Sequence, residues 1–106
     1  GAHPEGNCLN FPLPADCSEA TYLKVFDQAL SRVDVGKFEV VAVSVGFDTH
    51  LGDLASLGLT ENSYKEIGKR IGALKKPTFF VLEGGYMGEK NGKDIDQLLK
   101  GYEEKL

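Results

Sequence analysis

One short segment of the sequence carries two side chains that could bind a metal. Residues 46–50 read GFDTH and follow a long apolar run. A carboxylate in such a place is costly unless something pairs with it, and carboxylate and imidazole both suit zinc. In an extended chain Asp48 and His50 point to the same side, so both could face one ion. The alternative, which the residues leave open, is that Asp48 caps a turn and His50 is an ordinary core or surface histidine.

A second segment could stabilise developing negative charge. Residues 83–86 read EGGY and also follow an apolar run. Gly84 and Gly85 would let the backbone approach a ligand closely, and the phenol of Tyr86 could donate a hydrogen bond to an oxyanion. The alternative is a glycine turn beside a packed tyrosine. A nucleotide-binding role is disfavoured because the sequence contains no glycine-rich phosphate loop with its lysine.

Three apolar runs typical of strands alternate with three amphipathic runs typical of helices. The predicted strands are residues 8–13, 38–45 and 78–82. The second strand is nearly continuous in β-branched residues, which indicates a strand covered on both faces, as in a parallel sheet. Pro12 and Pro14 place the first strand at an edge or before a turn.

The predicted helices have recognisable starts. A capping box with Asp16 as the N-cap and Glu19 as the third helical residue opens the first helix. The second helix follows Thr60 and ends before Pro77, and the third has its apolar residues three and four apart over residues 95–106. The apolar face of the first helix is predicted to comprise Tyr22, Phe26, Ala29, Leu30 and Val33.

This alternation predicts an α/β fold with a partial parallel sheet of about three strands and flanking helices. In such sheets ligands bind at the carboxyl ends of the strands. The GFDTH and EGGY segments both follow predicted strand ends, and this coincidence is the main physical argument for a site that includes Asp48 and Tyr86.

Length and charge restrict the other possibilities. The 106 residues predict a single domain over 1–106, with residues 1–5 expected to be a disordered start or a remnant of cloning. A formal net charge of −4 gives no support to a nucleic-acid or anionic-membrane partner. No apolar run approaches the ~20 residues that span a bilayer, and no signal peptide is evident. The expected location is the cytoplasm.

Four segments, in order, resemble the C-terminal portion of the zinc-dependent deacetylases of the histone deacetylase and acetylpolyamine amidohydrolase superfamily. Residues 44–50 (SVGFDTH) resemble the family's SxGFDxH segment, and residues 82–86 its LEGGY segment. Residues 6–14 resemble the upstream N-x-PLP segment, and residues 57–60 the L-x-LT run between the two. The resemblance implies an arginase-like three-layer α/β/α fold and hydrolysis of N-acetyl amides on lysine or polyamines.

The resemblance also implies roles for individual residues. It makes Asp48 a zinc ligand, and Tyr86 the residue that polarises the substrate carbonyl and stabilises the tetrahedral oxyanion. His50 matches the family pattern without being a zinc ligand there, so we expect it to support the metal site. Gly84 and Gly85 are expected to line the substrate cleft.

The sequence matches only part of the family pattern. Members carry a further Asp-x-His pair and a tandem-histidine general base upstream, whereas this sequence contains His3 and His50 and no His-His. Catalytic zinc takes three protein ligands, and this chain offers one. We therefore expect the C-terminal part of a zinc-dependent deacetylase for acetylated amines, inactive alone. The alternative is a non-catalytic module of the same fold that serves binding or assembly, so whether the chain is an enzyme stays open.

The predicted sheet has few strands, and the faces of these strands are apolar. An unpaired sheet edge is a liability that natural proteins cover. The sequence therefore predicts self-association, or docking to a further N-terminal part of the family fold.

Overall fold

The computed structural model describes residues 8–106, so the expectation for residues 1–5 lies outside the described residues. The described chain forms a mixed α/β fold with a parallel sheet, as predicted. No helix in this part is both long and apolar enough to cross a membrane. The elements, in chain order, are α1 (Glu19–Ser31), a short 3₁₀ helix (Val35–Lys37), β1 (Val41–Val45), α2 (Glu61–Gly72), β2 (Thr78–Leu82) and α3 (Glu89–Lys105).

The strand predicted over residues 8–13 is wrong. Residues 8–14 form no strand, and the described sheet has two strands, one fewer than expected. Pro12 and Pro14 lack the amide hydrogen that a sheet ladder needs, which makes this apolar segment a poor strand.

The predicted start of α1 is also wrong, by two residues. Ser18, not Asp16, is the N-cap, and its hydroxyl oxygen accepts a hydrogen bond of 3.2 Å from the backbone N–H of Thr21. Asp16 has a φ of 54°, a left-handed conformation that differs from the extended backbone of an N-cap residue. The chain therefore turns at Asp16 before the helix begins.

Strands β1 and β2 pair in parallel, with Val41 opposite Thr78 at one end and Val45 opposite Leu82 at the other. Helix α2 lies between the two strands in the chain, because a parallel pair needs a crossover connection. The pairing continues past the strand ends, where the Phe47 N–H donates to the Gly84 carbonyl at 2.7 Å. The GFDTH and EGGY segments are thus held side by side at one end of the sheet.

The helices cover one face of this sheet. Val43, Val45 and Phe80 pack towards the core from that face. On the other face Phe79 is 53% exposed and Val81 is 45% exposed. Within residues 8–106 the expectation of strands covered on both faces is therefore wrong, since the strand residues alternate between covered and exposed. The buried core cluster comprises Phe47, Leu59, Tyr64, Ile67, Ile71 and Leu98.

Helices α2 and α3 meet at backbone distance through glycines. A Cβ added to Gly68 would lie 2.1 Å from the carbonyl oxygen of Leu98, and one added to Gly101 would lie 2.0 Å from that of Lys65. Both helices can approach this closely because glycine has no Cβ. The contact fixes α3 against α2, and the first turn of α3 is thereby placed beside the strand ends.

Candidate active site

Asp48 lies at the end of β1 with its carboxylate over the backbone of both strand ends. A Cβ on Gly46 would lie 2.7 Å from Asp48 Oδ1, and a Cβ on Gly84 would lie 3.0 Å from each carboxylate oxygen. The two glycines therefore leave the room that the carboxylate occupies. The side chain is half-buried, and it makes no hydrogen bond or ion pair with a residue of 8–106. No residue of the described range therefore uses the acceptor capacity of this carboxylate.

Tyr86 lies two residues beyond Gly84, after the end of β2. Its side chain is 65% exposed, and its hydroxyl has no hydrogen-bond partner within the described residues. Its backbone N–H, in contrast, donates a hydrogen bond of 3.0 Å to Asp53 Oδ2. The phenol is therefore accessible to a ligand, while the backbone that carries it is tied to the loop after β1.

Asp53 is the acceptor that ties this loop. It is 8% exposed, and its carboxylate accepts hydrogen bonds from the Leu54 N–H at 2.7 Å, the Tyr86 N–H and the Asn91 side-chain amide at 3.3 Å. Burial acts to raise the pKa of Asp53, but the hydrogen bonds from Tyr86, Leu54 and Asn91 outweigh it and hold the pKa below its ordinary value.

Acid is expected to loosen the Tyr86 loop by protonating Asp53. Because the pKa of Asp53 is lower in the folded than in the unfolded chain, its stabilising contribution is complete above the ordinary value of 3.8 and is lost as the pH falls through the lower folded value. We expect the backbone amide proton of Tyr86 to shift in an NMR titration below pH 3.8. In Asp53→Asn this transition should be absent; an unchanged titration in that variant would contradict the assignment.

His50 points into the core, where it contacts α3. It is 8% exposed, its Nδ1 lies 2.6 Å from Asp94 Oδ2, and its ring stacks at 6.4 Å on the ring of Tyr64. Burial raises the pKa of the Asp94 carboxyl, and the hydrogen bond to His50 opposes that shift. The imidazole of His50 therefore contacts α3, whereas the Asp48 carboxylate lies over Gly84.

Asp53, Asn91 and Asp94 were not singled out from the sequence. Asn91 and Asp94 are buried, and together with Ile95 and Leu98 they lie at spacings of three, four and seven along one face of α3. Polar residues at core-facing helix positions were the signal that could have identified two of them. They have partners there: Asp94 bonds His50, and Asn91 bonds the loops after both strands.

The described residues supply part of a metal centre at most. Within 8–106 no three or more His, Cys, Asp or Glu side chains are grouped so that they could hold a metal ion. A catalytic zinc site takes three protein ligands. Asp48 suits the role of one such ligand because its carboxylate is free, and the other ligands would have to come from outside the described residues.

Comparison with known proteins gives consistent matches. The family model of the histone deacetylase domain matches residues 1–102. Acetylpolyamine amidohydrolase 2 of Pseudomonas aeruginosa is 32% identical over 99 residues, which cover 92% of this chain and 29% of that protein. Type-2 histone deacetylase 1 of Dictyostelium discoideum is 35% identical over 88 residues, which cover 77% of this chain and 6% of that protein.

A solved structure matches as well. The crystal structure of acetylpolyamine aminohydrolase from Burkholderia pseudomallei superimposes with a TM-score of 0.85 at 31% sequence identity. The match covers 92% of this chain and 29% of that one. The chain therefore spans less than a third of the length of these relatives.

Proposed function

Because this chain belongs to the histone deacetylase domain family, we propose that it forms the C-terminal part of a zinc-dependent deacetylase that hydrolyses N-acetyl amides. One observation carries the proposal. A free carboxylate, Asp48, and an accessible phenol, Tyr86, follow the paired ends of two adjacent parallel strands. This is the end of a parallel sheet at which ligands bind.

Each of the two side chains has a role in this proposal. The Asp48 carboxylate would be one zinc ligand, and the metal, when bound, would polarise the acetyl carbonyl and activate water. The Tyr86 hydroxyl would donate a hydrogen bond to the carbonyl oxygen as negative charge develops on it. Gly84 and Gly85 would line the cleft beside them, with the Asp48 carboxylate in the room that Gly84 leaves and Asn91 against Gly85.

The proposed substrate is an acetylated amine, either acetyl-lysine or an acetylated polyamine. Relatives named for both kinds of substrate, acetylpolyamine amidohydrolases and a histone deacetylase, match this chain at similar identity. Both substrates would present the same acetamide to Asp48 and Tyr86. The described residues therefore support hydrolysis of an N-acetyl amide for either substrate. We further propose that the enzyme acts in the cytoplasm.

We propose that the isolated chain is inactive. Asp48 would be one ligand of an incomplete set, because no three His, Cys, Asp or Glu side chains of residues 8–106 are grouped so that they could hold a metal ion. His50 is the single histidine of the described chain, and its Nδ1 is bonded to Asp94 in the core. A water-activating base with access to the strand ends would have to come from elsewhere.

The chain is also proposed to need a partner along β1. Among residues 8–106 the edge of β1 away from β2 has no pairing strand, and β1 lines an apolar groove of about 420 Å³ between α1 and α2 with Tyr22, Phe26 and Ile67 among others. A second copy, or a further part of the family fold, would cover this edge.

A chimera tests the proposed function and the partner together. The matching segment of the Burkholderia pseudomallei acetylpolyamine aminohydrolase is replaced by this chain, and acetate release is measured from acetyl-lysine and an acetylated polyamine. We expect the chimera to be active, to bind zinc and to be free of the association that the exposed edge causes in the isolated chain. The isolated chain should release no acetate and should self-associate in light scattering at tens of micromolar.

The possible outcomes of this experiment distinguish the deacetylase proposal from the proposed inactivity of the isolated chain. A chimera that folds and binds zinc but releases no acetate would contradict the deacetylase proposal, whereas turnover by the isolated chain would overturn the proposed inactivity. A chimera with Asp48→Asn is the control, because it should keep the fold and lose the metal.

A further inference from the structure

Asn91 bonds the loops after both strands through one buried side chain. It is 7% exposed, and its Oδ1 accepts a hydrogen bond of 2.6 Å from the backbone N–H of Met87. Its Nδ2 donates to the carbonyl oxygen of Phe47 at 3.2 Å and to Asp53 Oδ2 at 3.3 Å. The partners fix the orientation of the amide, because the Met87 N–H can only donate and the Phe47 carbonyl can only accept.

The two backbone groups that Asn91 bonds adjoin the two proposed active-site residues. The Phe47 carbonyl belongs to the peptide bond that leads into Asp48, and the Met87 N–H belongs to the peptide bond that leaves Tyr86. One side chain therefore holds a peptide group next to each of them. Its reach fixes the distance between these peptide groups, since an amide has no long flexible stem that could adapt.

The position of Tyr86 depends on such backbone contacts. Tyr86 is 65% exposed, and its hydroxyl has no hydrogen-bond partner among residues 8–106, so the ring is held through the main chain. Gly85 brings that chain against Asn91 with a φ of 145°, and a Cβ at this position would lie 3.1 Å from Asn91 Cγ. Glycine suits this close approach and this φ.

We propose that Asn91 is a positioning residue that sets the place of Tyr86 relative to Asp48. The inference rests on the proposed function, because it assigns those two residues to one reaction. Asn91 touches neither the substrate nor the metal in this proposal, and it acts through the two loops. A displacement of about 1 Å at a reacting group can reduce a rate by about 100-fold, so an anchor of this kind affects catalysis strongly.

A simple helix-capping role would not account for these contacts. Helix α3 begins at Glu89 after Gly88, which makes no side-chain capping bond. Asn91 reaches back beyond the cap to the N–H of Met87, which precedes the helix. Its other two bonds go to Phe47 and Asp53, which lie 44 and 38 residues away in the loop after β1, and a cap has no need of them.

The first test uses the full chain and the isosteric variant Asn91→Asp. An aspartate can still accept from Met87, but it cannot donate to Phe47, and it adds a negative charge beside Asp53. In hydrogen exchange followed by NMR we expect the amides of Tyr86 and Met87 to exchange about tenfold faster, with the amides of the α2–α3 core unchanged. Asn62→Asp, the same change at an exposed position near the start of α2, should leave both amides as they are.

The second test measures catalysis in the chimera described above. Asn91→Asp should lower kcat about 10- to 100-fold, with KM and zinc content unchanged. Unaltered exchange at Tyr86 and Met87, a uniform rise across all amides, or an unchanged kcat would each overturn the inference. Asn91→Ala, which lacks all three bonds, gives the same readouts if the aspartate variant does not fold.

The two proposals fail differently. If the unmutated chimera folds with zinc but is inactive, the proposed function is wrong, and the exchange data then report only on the loop contacts. If the unmutated chimera is active and Asn91→Asp is equally active, the proposed function stands and the positioning role is wrong.

Discussion

Gly101→Ala is expected to lower the free energy of unfolding by about 3 kcal/mol, after any gain in helix propensity. The new Cβ would lie 2.0 Å from the carbonyl oxygen of Lys65 and 3.1 Å from the backbone nitrogen of Lys69. Neither atom is at the end of a flexible side chain, so α2 and α3 must separate, and the packing of Leu98 against Ile67 and Ile71 is disturbed. Urea unfolding followed by circular dichroism measures the change.

The same helix offers a matched control. Gly92 also lies in α3, but a Cβ there would meet nothing within 4 Å. Gly92→Ala should therefore raise the free energy of unfolding by about 0.5–1 kcal/mol, through helix propensity alone. Equal effects of the two alanines, or a loss below about 0.5 kcal/mol for Gly101→Ala, would contradict close helix contact as the cause.

Tyr86→Phe in the chimera is expected to lower kcat about 100- to 1,000-fold, because in the proposed reaction it deletes one hydrogen-bond donor to the developing oxyanion. The free energy of unfolding should stay the same, since the phenol is 65% exposed and its hydroxyl bonds no described residue. Steady-state kinetics of acetate release, with unfolding measured in parallel, test both expectations.

Tyr102→Phe is the control for loss of a hydroxyl. That hydroxyl donates to the Lys76 carbonyl at 3.4 Å, and Lys76 precedes β2, so the contact lies at the opposite end of the strand from Tyr86. We expect kcat to be unaffected. A similar fall in kcat for both variants, or less than about a tenfold fall for Tyr86→Phe, would contradict the proposed role of Tyr86 in stabilising the oxyanion.

The elements with strong local signals could be predicted from the sequence. β1 and β2 are apolar runs with turn-forming residues on either side. Helix α2 has its apolar residues at helical spacing and starts with the Thr60–Ser63 capping contact. Residues 8–13 are also largely apolar, but Pro12 and Pro14 weaken this segment as a strand, and local sequence does not specify a pairing partner. Composition likewise could not show which face of the sheet this chain leaves exposed.

The candidate site, like the fold, could be predicted only in part from the sequence. The two strand-end segments could be placed together because parallel strands align their carboxyl ends, and their roles in catalysis stay a prediction. The contacts that support these segments could not be predicted, because each contact joins residues that are far apart in the sequence. His50 bonds Asp94 at a separation of 44 residues, and Tyr86 bonds Asp53 at a separation of 33. Nothing in the segments themselves indicates these pairings.

The continuation of the ladder beyond the strands has a consequence for ligand binding. Main-chain hydrogen bonds from Glu83 to Val45 and from Phe47 to Gly84 extend the sheet to within one residue of Asp48. The main chain beside the acceptor carboxylate and the phenol is therefore held by the sheet ladder and by the hydrogen bonds of Asp53 and Asn91 before a ligand binds. Little backbone conformational entropy therefore remains to be lost there when a ligand binds.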